Sequence, residues 1–388
     1  MTIIKESAPH LRRKASVARM MIDVLIALAP TLIFAAIVYP FYTLLYLLIS
    51  LVIMVGAEFV YVGLRNMMPA DGQKHTFKEK FAYAYKGKFN ENNVLSASIT
   101  AVIFVLIMPA GAPFYAVIVG ALAGIIIGKL VFGGLGSNIF NPAAVGMIVA
   151  KLCFGSQYPV AKIPGAEDTF STIPSTWYYP TGEDSYTIQA GATPLENNGA
   201  LNNLSNYSIR NMILGRIPGT LGEVYAITII IGLIYLLIRR SADIRVVVSY
   251  FGTFGILTLI AGLAIMACPG TSVNPIRFTV YNFLAGGVLF GGAFMLTDPV
   301  TSPINAPSRI IYGMIAAVCT VFIRFFAALP EGVGFSILIA NMLAAVLDHY
   351  EWSNPRYTWK KFLAMGLLLV IPALITFLVV LKQFGGIA

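Results

Sequence analysis

The sequence predicts an all-α polytopic membrane protein: two inverted five-helix repeats with broken helices, plus an extra transmembrane helix at the carboxyl end. Three observations predict it. The chain is overwhelmingly apolar, its apolar runs have membrane length, and its basic residues alternate between the segments that join them. Of 388 residues, 58% are hydrophobic and 11% are charged, and the mean hydropathy is +0.80. Soluble globular domains carry about 25% charged residues, so a soluble fold is excluded.

A helical span needs about 20 apolar residues, fewer where a helix is broken or buried inside a bundle. Spans therefore fall at 20–39, 41–63, 94–108, 114–132 and 137–153. After a long polar segment they resume at 222–239, 243–266, 280–297, 308–328 and 333–347, and an eleventh run covers 359–382. The basic amino terminus, "MTIIKESAPHLRRKASVAR", precedes a run of span length with further spans behind it. It reads as a retained anchor and not as a cleaved signal. The organisation is then an amino-terminal cytoplasmic segment (1–19), a first repeat (20–153), a loop (154–221), a second repeat (222–348), and a linker with the carboxyl-terminal helix (349–388).

Charge sets the orientation. Loops on the cytoplasmic side collect Lys and Arg. Lys5, Arg12, Arg13, Lys14 and Arg19 place the amino terminus inside, and the Lys-rich 65–89 stretch, "RRSADIR" and "NPRYTWKK" fall on the same side. The turns near 109–113, 268–277 and 329–332 fall outside and hold few basic residues. The loop 154–221 also falls outside, with Asp168, Glu183, Asp184 and Glu196 in a sequence rich in Asn, Gly, Ser, Thr and Tyr. The net charge of +9 is accounted for in this way. No basic run is interleaved with stacking aromatics, so nucleic-acid binding is excluded.

Other chemistries are excluded too. Cys153, Cys268 and Cys319 are isolated, as are His10, His75 and His349, giving neither a disulfide framework nor a metal-ligand spacing. No Walker loop, dinucleotide fingerprint or hydrolytic triad order is present. With no iron–sulfur motif either, any redox work by this chain requires a complex.

The repeat itself is visible. "IFVLIMPAGAP" (103–113) matches "AFMLTDPVTSP" (293–303), keeping Phe104/Phe294, Leu106/Leu296, Pro109/Pro299 and Pro113/Pro303 at one spacing. "SNIFNPAAVG" and "SILIANMLAA" follow, with Asn141 and Asn341 roughly aligned. An odd number of spans separates the copies, so they run in opposite directions. Inverted repeats of this kind build sites near the membrane midplane from broken helices.

Several residues are candidates within that scheme. Gly120, Gly124 and Gly128 flatten one helix face for close approach. "GGLGSNIFNP" then breaks the helix, and Pro142 suits the first turn of a new one. Asn138 and Asn141 in this break either donate to a cofactor, coordinate an ion, or satisfy the broken backbone. In "LTDPVTSPINAPSR", Asp298 is either an ion-path acid or the cap of the following turn, and Asn341 is a second ion-path candidate. Glu58 and Asp23 lie near helix ends and read as interfacial. In the long loop, "YTIQAGATPLE" (186–196) presents the Thr193 hydroxyl between a permissive Gly-Ala and a rigid proline.

"SAPHLRRKASVARMMIDVLIALAPTLI", "LVFGGLGSNIFNPAAVG" and "GATPLE" together resemble the D subunit of the Rnf electron-transport complex, which is homologous to the B subunit of the Na⁺-translocating NADH:quinone reductase. The resemblance runs from about residue 7 to about residue 350. It implies ten helices in two inverted halves, a pattern that the eleventh span exceeds. It implies a threonine of a GAT motif esterified through phosphate to FMN by a flavin transferase; Thr193, flanked by Gly191, Ala192 and Pro194, matches it. Ala190 stands where the family usually has Ser or Thr, and Thr187 where Asp is usual. The resemblance further implies a noncovalent riboflavin between the repeats, with the Asn138–Asn141 break as candidate lining.

The partners it implies are iron–sulfur membrane subunits, an extracytoplasmic FMN subunit, and cytoplasmic ferredoxin and NAD modules, all in a bacterial or archaeal cell membrane. The activity is ferredoxin:NAD⁺ oxidoreduction coupled to Na⁺ or H⁺ movement. Within the family the B subunit of the quinone reductase is the alternative. A flavin-free channel or carrier of related fold, and a scaffold subunit with Thr193 unmodified, are the alternatives outside it.

Overall fold

In the computed structural model the described residues are 16–67, 77–85, 88–110, 112–155, 195, 208–215, 217, 219–223, 225–268, 273–327, 332–349 and 356–385. Most of these are helical, and the only β pairing among them is a single bridge between Pro109 and Thr220. Long apolar stretches form α1 (Val17–Val38) and α2 (Pro40–Asn66). Ser16 caps α1, its side chain accepting from Arg19 N at 3.2 Å. Pro40 opens α2 at a position where its missing N–H leaves no bond unmade. A short helix α3 (Phe77–Tyr85) follows, which the hydropathy pattern does not reveal. The Tyr85 ring stacks on Phe59 of α2 with centroids 4.3 Å apart.

The remaining elements are α4 (Glu91–Leu106), α5 (Phe114–Gly128), α6 (Pro142–Phe154), a short α7 (Ile209–Ile213), α8 (Ala226–Arg239) and α9 (Ile244–Met266). Then come α10 (Pro275–Leu284), α11 (Val288–Phe290) running into a π-turn (Gly291–Met295), α12 (Ala306–Phe326), α13 (Val333–Leu347) and α14 (Trp359–Gly385). Among the described residues six helices are long and apolar enough to cross a membrane, and the α10–α11 pair, bent by 67°, makes a seventh broken span. α4, α6, α8 and α13 are shorter apolar helices. Ten of the eleven runs expected from hydropathy appear as single helices with ends shifted by a few residues, and the run at 280–297 is split between α10 and α11 by the 67° bend.

Packing follows the repeat. α2 lies on α4 and α5, and α5 lies on α6; likewise α9 lies on α10 and α12, and α12 on α13. α1 packs against α8 across the centre, where Thr31 Oγ1 donates to Thr228 Oγ1 at 3.0 Å. α1 and α8 are antiparallel, since Asp23 near the start of one meets Arg239 at the end of the other (3.1 Å). The glycine face expected on α5 does press against α6. A Cβ on Gly146 would fall 2.5 Å from Gly120 O, and one on Gly124 would fall 2.7 Å from Pro142 O. α14 lies over α9 and α12 and leaves a wide apolar face outward, with Leu378 62% exposed.

One part of the repeat reading is corrected. The Pro109/Pro299 match holds, because both copies end a helix and lead through a turn into a long one. The Asn141/Asn341 alignment does not hold. Asn141 caps the start of α6, whereas Asn341 sits two turns inside α13. The two asparagines are partners in contact, not equivalents.

Candidate functional site

Two of the breaks, the one between α5 and α6 and the one before α12, lie at one end of the bundle, the end carrying Arg65, Arg239, Arg245 and Arg309. After α5 the chain makes a short 3₁₀ turn (Leu130–Phe132) and enters a loop where Gly133, Gly134 and Gly136 have φ of 119°, 87° and 81°. Only glycine reaches those angles cheaply, so "GGLG" dictates the turn. Arg65 Nη1 donates to Gly133 O at 2.9 Å, satisfying one freed carbonyl. Asn138 Nδ2 donates to Phe140 O at 3.2 Å, satisfying another. Asn141 Oδ1 accepts from Ala143 N (3.1 Å) and Ala144 N (3.3 Å), a helix cap worth about 0.5–2 kcal/mol.

Asn141 also joins the repeats. Its backbone N–H donates to Asn341 Oδ1 at 3.0 Å, and its Nδ2 donates to Met295 O at 3.3 Å. Asn341 Nδ2 in turn donates to Tyr312 Oη (2.8 Å) and Thr301 O (3.4 Å). Thr301 Oγ1 reaches Asp298 Oδ2 at 3.4 Å, and Asp298 Oδ1 accepts from Val300 N at 3.1 Å, so Asp298 caps its turn. One polar chain therefore runs from the first break through α13 to the second. Three candidates from the sequence, Asn141, Asn341 and Asp298, lie on it, and Asn138 lies in the same loop as Asn141.

The sequence reading missed the charged centre beside this chain. Lys129, the residue after α5, lies 3.0 Å from Glu58 Oε2 and donates to Ser96 Oγ at 2.9 Å. The Lys129 and Glu58 side chains are 2% and 1% exposed. Glu58 Oε2 takes no aligned hydrogen bond, so its contact with the ammonium is ionic, while Oε1 accepts from Asn93 Nδ2 at 3.0 Å. Glu58 is thus enclosed by the protein and held by partners on other elements. Asp23 is also buried, at 4%, where it accepts from Tyr235 (3.2 Å), Arg239 (3.1 Å) and Ser241 (3.0 Å). A signal was available: Glu58 is the only charged residue between Asp23 and Arg65, and Lys129 the only one between Glu91 and Lys151. A lone charge in so long an apolar stretch marks function or a buried partner. No group of three or more His, Cys, Asp or Glu fit to hold a metal occurs among the described residues.

At the far end, the return of the long loop is clamped into the first repeat. Leu221 N donates to Met108 O at 3.0 Å and Gly222 N to Leu106 O at 2.7 Å, filling the turn between α4 and α5. Leu195 is 4% exposed and belongs to the apolar core, and Met212 of α7 is fully buried. Thr193, Gly191, Ala192 and Pro194 lie outside the described residues, as do Thr187 and Ala190.

Residues 4–356 match the family model described as the NQR2, RnfD, RnfE family, and the chain belongs to that family. It is 34% identical over 255 residues to the B subunit of the Na⁺-translocating NADH-quinone reductase of Chromohalobacter salexigens, covering 65% of this chain and 57% of that relative. It is 29% identical to the D subunit of the proton-translocating ferredoxin:NAD⁺ oxidoreductase complex of Clostridium ljungdahlii, over 89% of this chain and 93% of the relative. It is 28% identical to the D subunit of the Na⁺-translocating ferredoxin:NAD⁺ oxidoreductase complex of Acetobacterium woodii, over 89% and 92%.

Proposed function

We propose that this family member is the membrane flavoprotein subunit of an Rnf-type ferredoxin:NAD⁺ oxidoreductase, carrying FMN on Thr193 and coupling electron transfer to Na⁺ or H⁺ movement. The observation that carries the reading is the position of "GATPLE". Its leucine, Leu195, is locked in the apolar core, and the threonine stands two residues before that anchor. The D-type relatives align over nearly their whole length, whereas the quinone-reductase relative aligns over 57% of its own. That difference favours the ferredoxin-linked complex over the quinone reductase.

The basic end faces the cytoplasm by the positive-inside bias, so the anchored motif faces outward in the cell membrane. Thr193 contributes the oxygen of the phosphoester, Gly191 and Ala192 allow a flavin transferase to approach, and Pro194 with Leu195 fixes the exit of the chain. FMN, when attached, supplies the electron-carrying chemistry; the chain supplies tether and orientation. For the noncovalent riboflavin that the family resemblance implies, the glycine loop between α5 and α6 is the candidate lining. Asn138 is buried in that loop with its Nδ2 donating to Phe140 O, which leaves its Oδ1 as the group to offer, while the Asn141 side chain bonds to backbone at Ala143, Ala144 and Met295. Asp298 and Asn341 stand on the polar chain between the repeats, where an ion path is expected.

Without an iron–sulfur motif or a nucleotide site, the chain depends on partners for ferredoxin oxidation and NAD⁺ reduction: iron–sulfur membrane subunits, an outer FMN subunit and cytoplasmic modules. Peptide mass spectrometry of the chain purified from its own host tests the assignment. An added mass of an FMN phosphoester on the 186–196 peptide, lost in Thr193→Ala, is the expected result. An unmodified peptide from cells with active flavin transferase would remove the flavoprotein reading and bring forward the channel.

A further inference from the structure

Lys129 and Arg324 hold corresponding places in the two repeats, at opposite ends of the bundle. Lys129 follows the last residue of α5, and Arg324 lies in the last turn of α12. Lys129 reaches α2 at Glu58 and α4 at Ser96. Arg324 reaches α9, with its guanidinium 5.5 Å from the Phe254 ring centre, and α10, where Nη1 donates to Asn282 O at 2.7 Å. Each cation therefore bridges the second and third membrane helices of its own repeat. Each is buried, Arg324 being 7% exposed.

Burying a charge is costly unless the surroundings are built to receive it. Both surroundings are sets of oxygens. Around Lys129 they are the Glu58 carboxylate and Ser96 Oγ. Around Arg324 they are the carbonyls of Asn282 and Ala285, the latter 3.3 Å from Nη2, with Asn282 Oδ1 at 3.5 Å. These carbonyls lie at the carboxyl end of α10, just where the span breaks before α11. The negative end of a half-helix, with freed carbonyls, is the environment that takes a desolvated monovalent cation in membrane proteins. Here a side-chain cation already fills it. Lys and Arg hold their charge on long flexible stems, so a change of rotamer is the motion that would carry either charge out of its oxygen set.

We propose that Lys129 and Arg324 are tethered cations, each filling an oxygen-lined pocket that accepts a free monovalent cation when the side chain withdraws. The two pockets lie at opposite ends, one per repeat, so the resting chain presents neither as an open ion site. The proposal rests on the translocation reading and deepens it. Its test reads cation-dependent stability and not electron transfer, so each can fail without the other.

The full chain in detergent is melted in sodium chloride and in choline chloride of equal ionic strength. The wild type melts alike in both. Lys129→Met leaves the Glu58 carboxylate unpaired, so it melts lower in choline by about 5 °C, and sodium restores about half of that loss by binding the folded form. The double variant Lys129→Met with Glu58→Gln has no carboxylate to hold sodium and melts alike in both salts. Equal melting of Lys129→Met in the two salts overturns the proposal, as does an equal sodium response in the double variant. If Lys129→Met does not purify, Lys129→Gln and Arg324→Met go through the same salt exchange. Absence of a sodium response in the variants that fold is then the overturning result.

Discussion

The two breaks that bring this bundle together are made with different chemistry. The first, between α5 and α6, relies on glycines in left-handed conformations and stands beside a buried ion pair, Lys129–Glu58. The second, between the π-turn and α12, has no glycine and closes on local caps: Asp298 receives Val300 N, Thr297 Oγ1 donates to Ala293 O at 2.6 Å, and Arg309 Nε donates to Pro303 O at 2.7 Å. The first break keeps a buried ion pair beside it, whereas the second caps Asp298 and Thr297 locally and ties Thr301 O to Asn341 and Ile304 N to Asp348. The ion pair at the second break, Arg309–Asp243, is about a quarter exposed. The first repeat should therefore be far more sensitive to loss of charge.

The sharpest way to break that contrast is charge removal. Glu58→Leu strands the Lys129 ammonium in the interior, a loss of about 3–5 kcal/mol. Asp298→Asn weakens a cap and costs about 1 kcal/mol. Thermal unfolding of both variants gives the ratio, and equal losses would end the distinction between the breaks. Steric change comes next. Gly146→Ala drives a methyl onto Gly120 O and the Phe104 ring and is expected to cost about 1–3 kcal/mol. Gly252→Ala, with nothing within 4 Å of the new methyl, gains up to about 1 kcal/mol from helix propensity. Opposite signs in the same unfolding assay sharpen the account of why α5 and α6 touch. The smallest contrast is between caps. Asn141→Ala removes a buried cap that also binds Met295 O, for about 2 kcal/mol. Asn274→Ala removes a cap that accepts from Ile276 N and Arg277 N and loses about 0.5–1 kcal/mol. A larger loss at Asn274 would mean that the bridge between repeats adds little.

Much of the fold was legible because membrane length and Gly/Pro breaks are local signals. Gly120, Gly124 and Gly128 announced the α5–α6 contact, and Asp298 announced its cap. The register of the second match was not legible. An asparagine in an apolar stretch looks alike whether it caps a helix or sits inside one, so spacing alone aligns Asn341 with Asn141, although the two are bonded partners. For Glu58 and Asp23 the sequence offers only the distance from a helix end, and that distance does not reveal a partner on another helix. Lys129 and Arg239 supply those partners from chain segments far away in sequence. α3 escaped because nine mixed residues after a basic loop carry no hydropathy signal, and it is held by the Tyr85 stack on Phe59.

The central claim is that electrons pass through this chain by way of Thr193 and move an ion as they do so. The direct test is NAD⁺ reduction by reduced ferredoxin in inverted membrane vesicles, with ion uptake followed in the same sample, comparing wild type with Thr193→Ala at equal levels of assembled complex. Loss of both activities together in the variant is the predicted result. Full ferredoxin-driven NAD⁺ reduction with undiminished ion uptake in Thr193→Ala would contradict it.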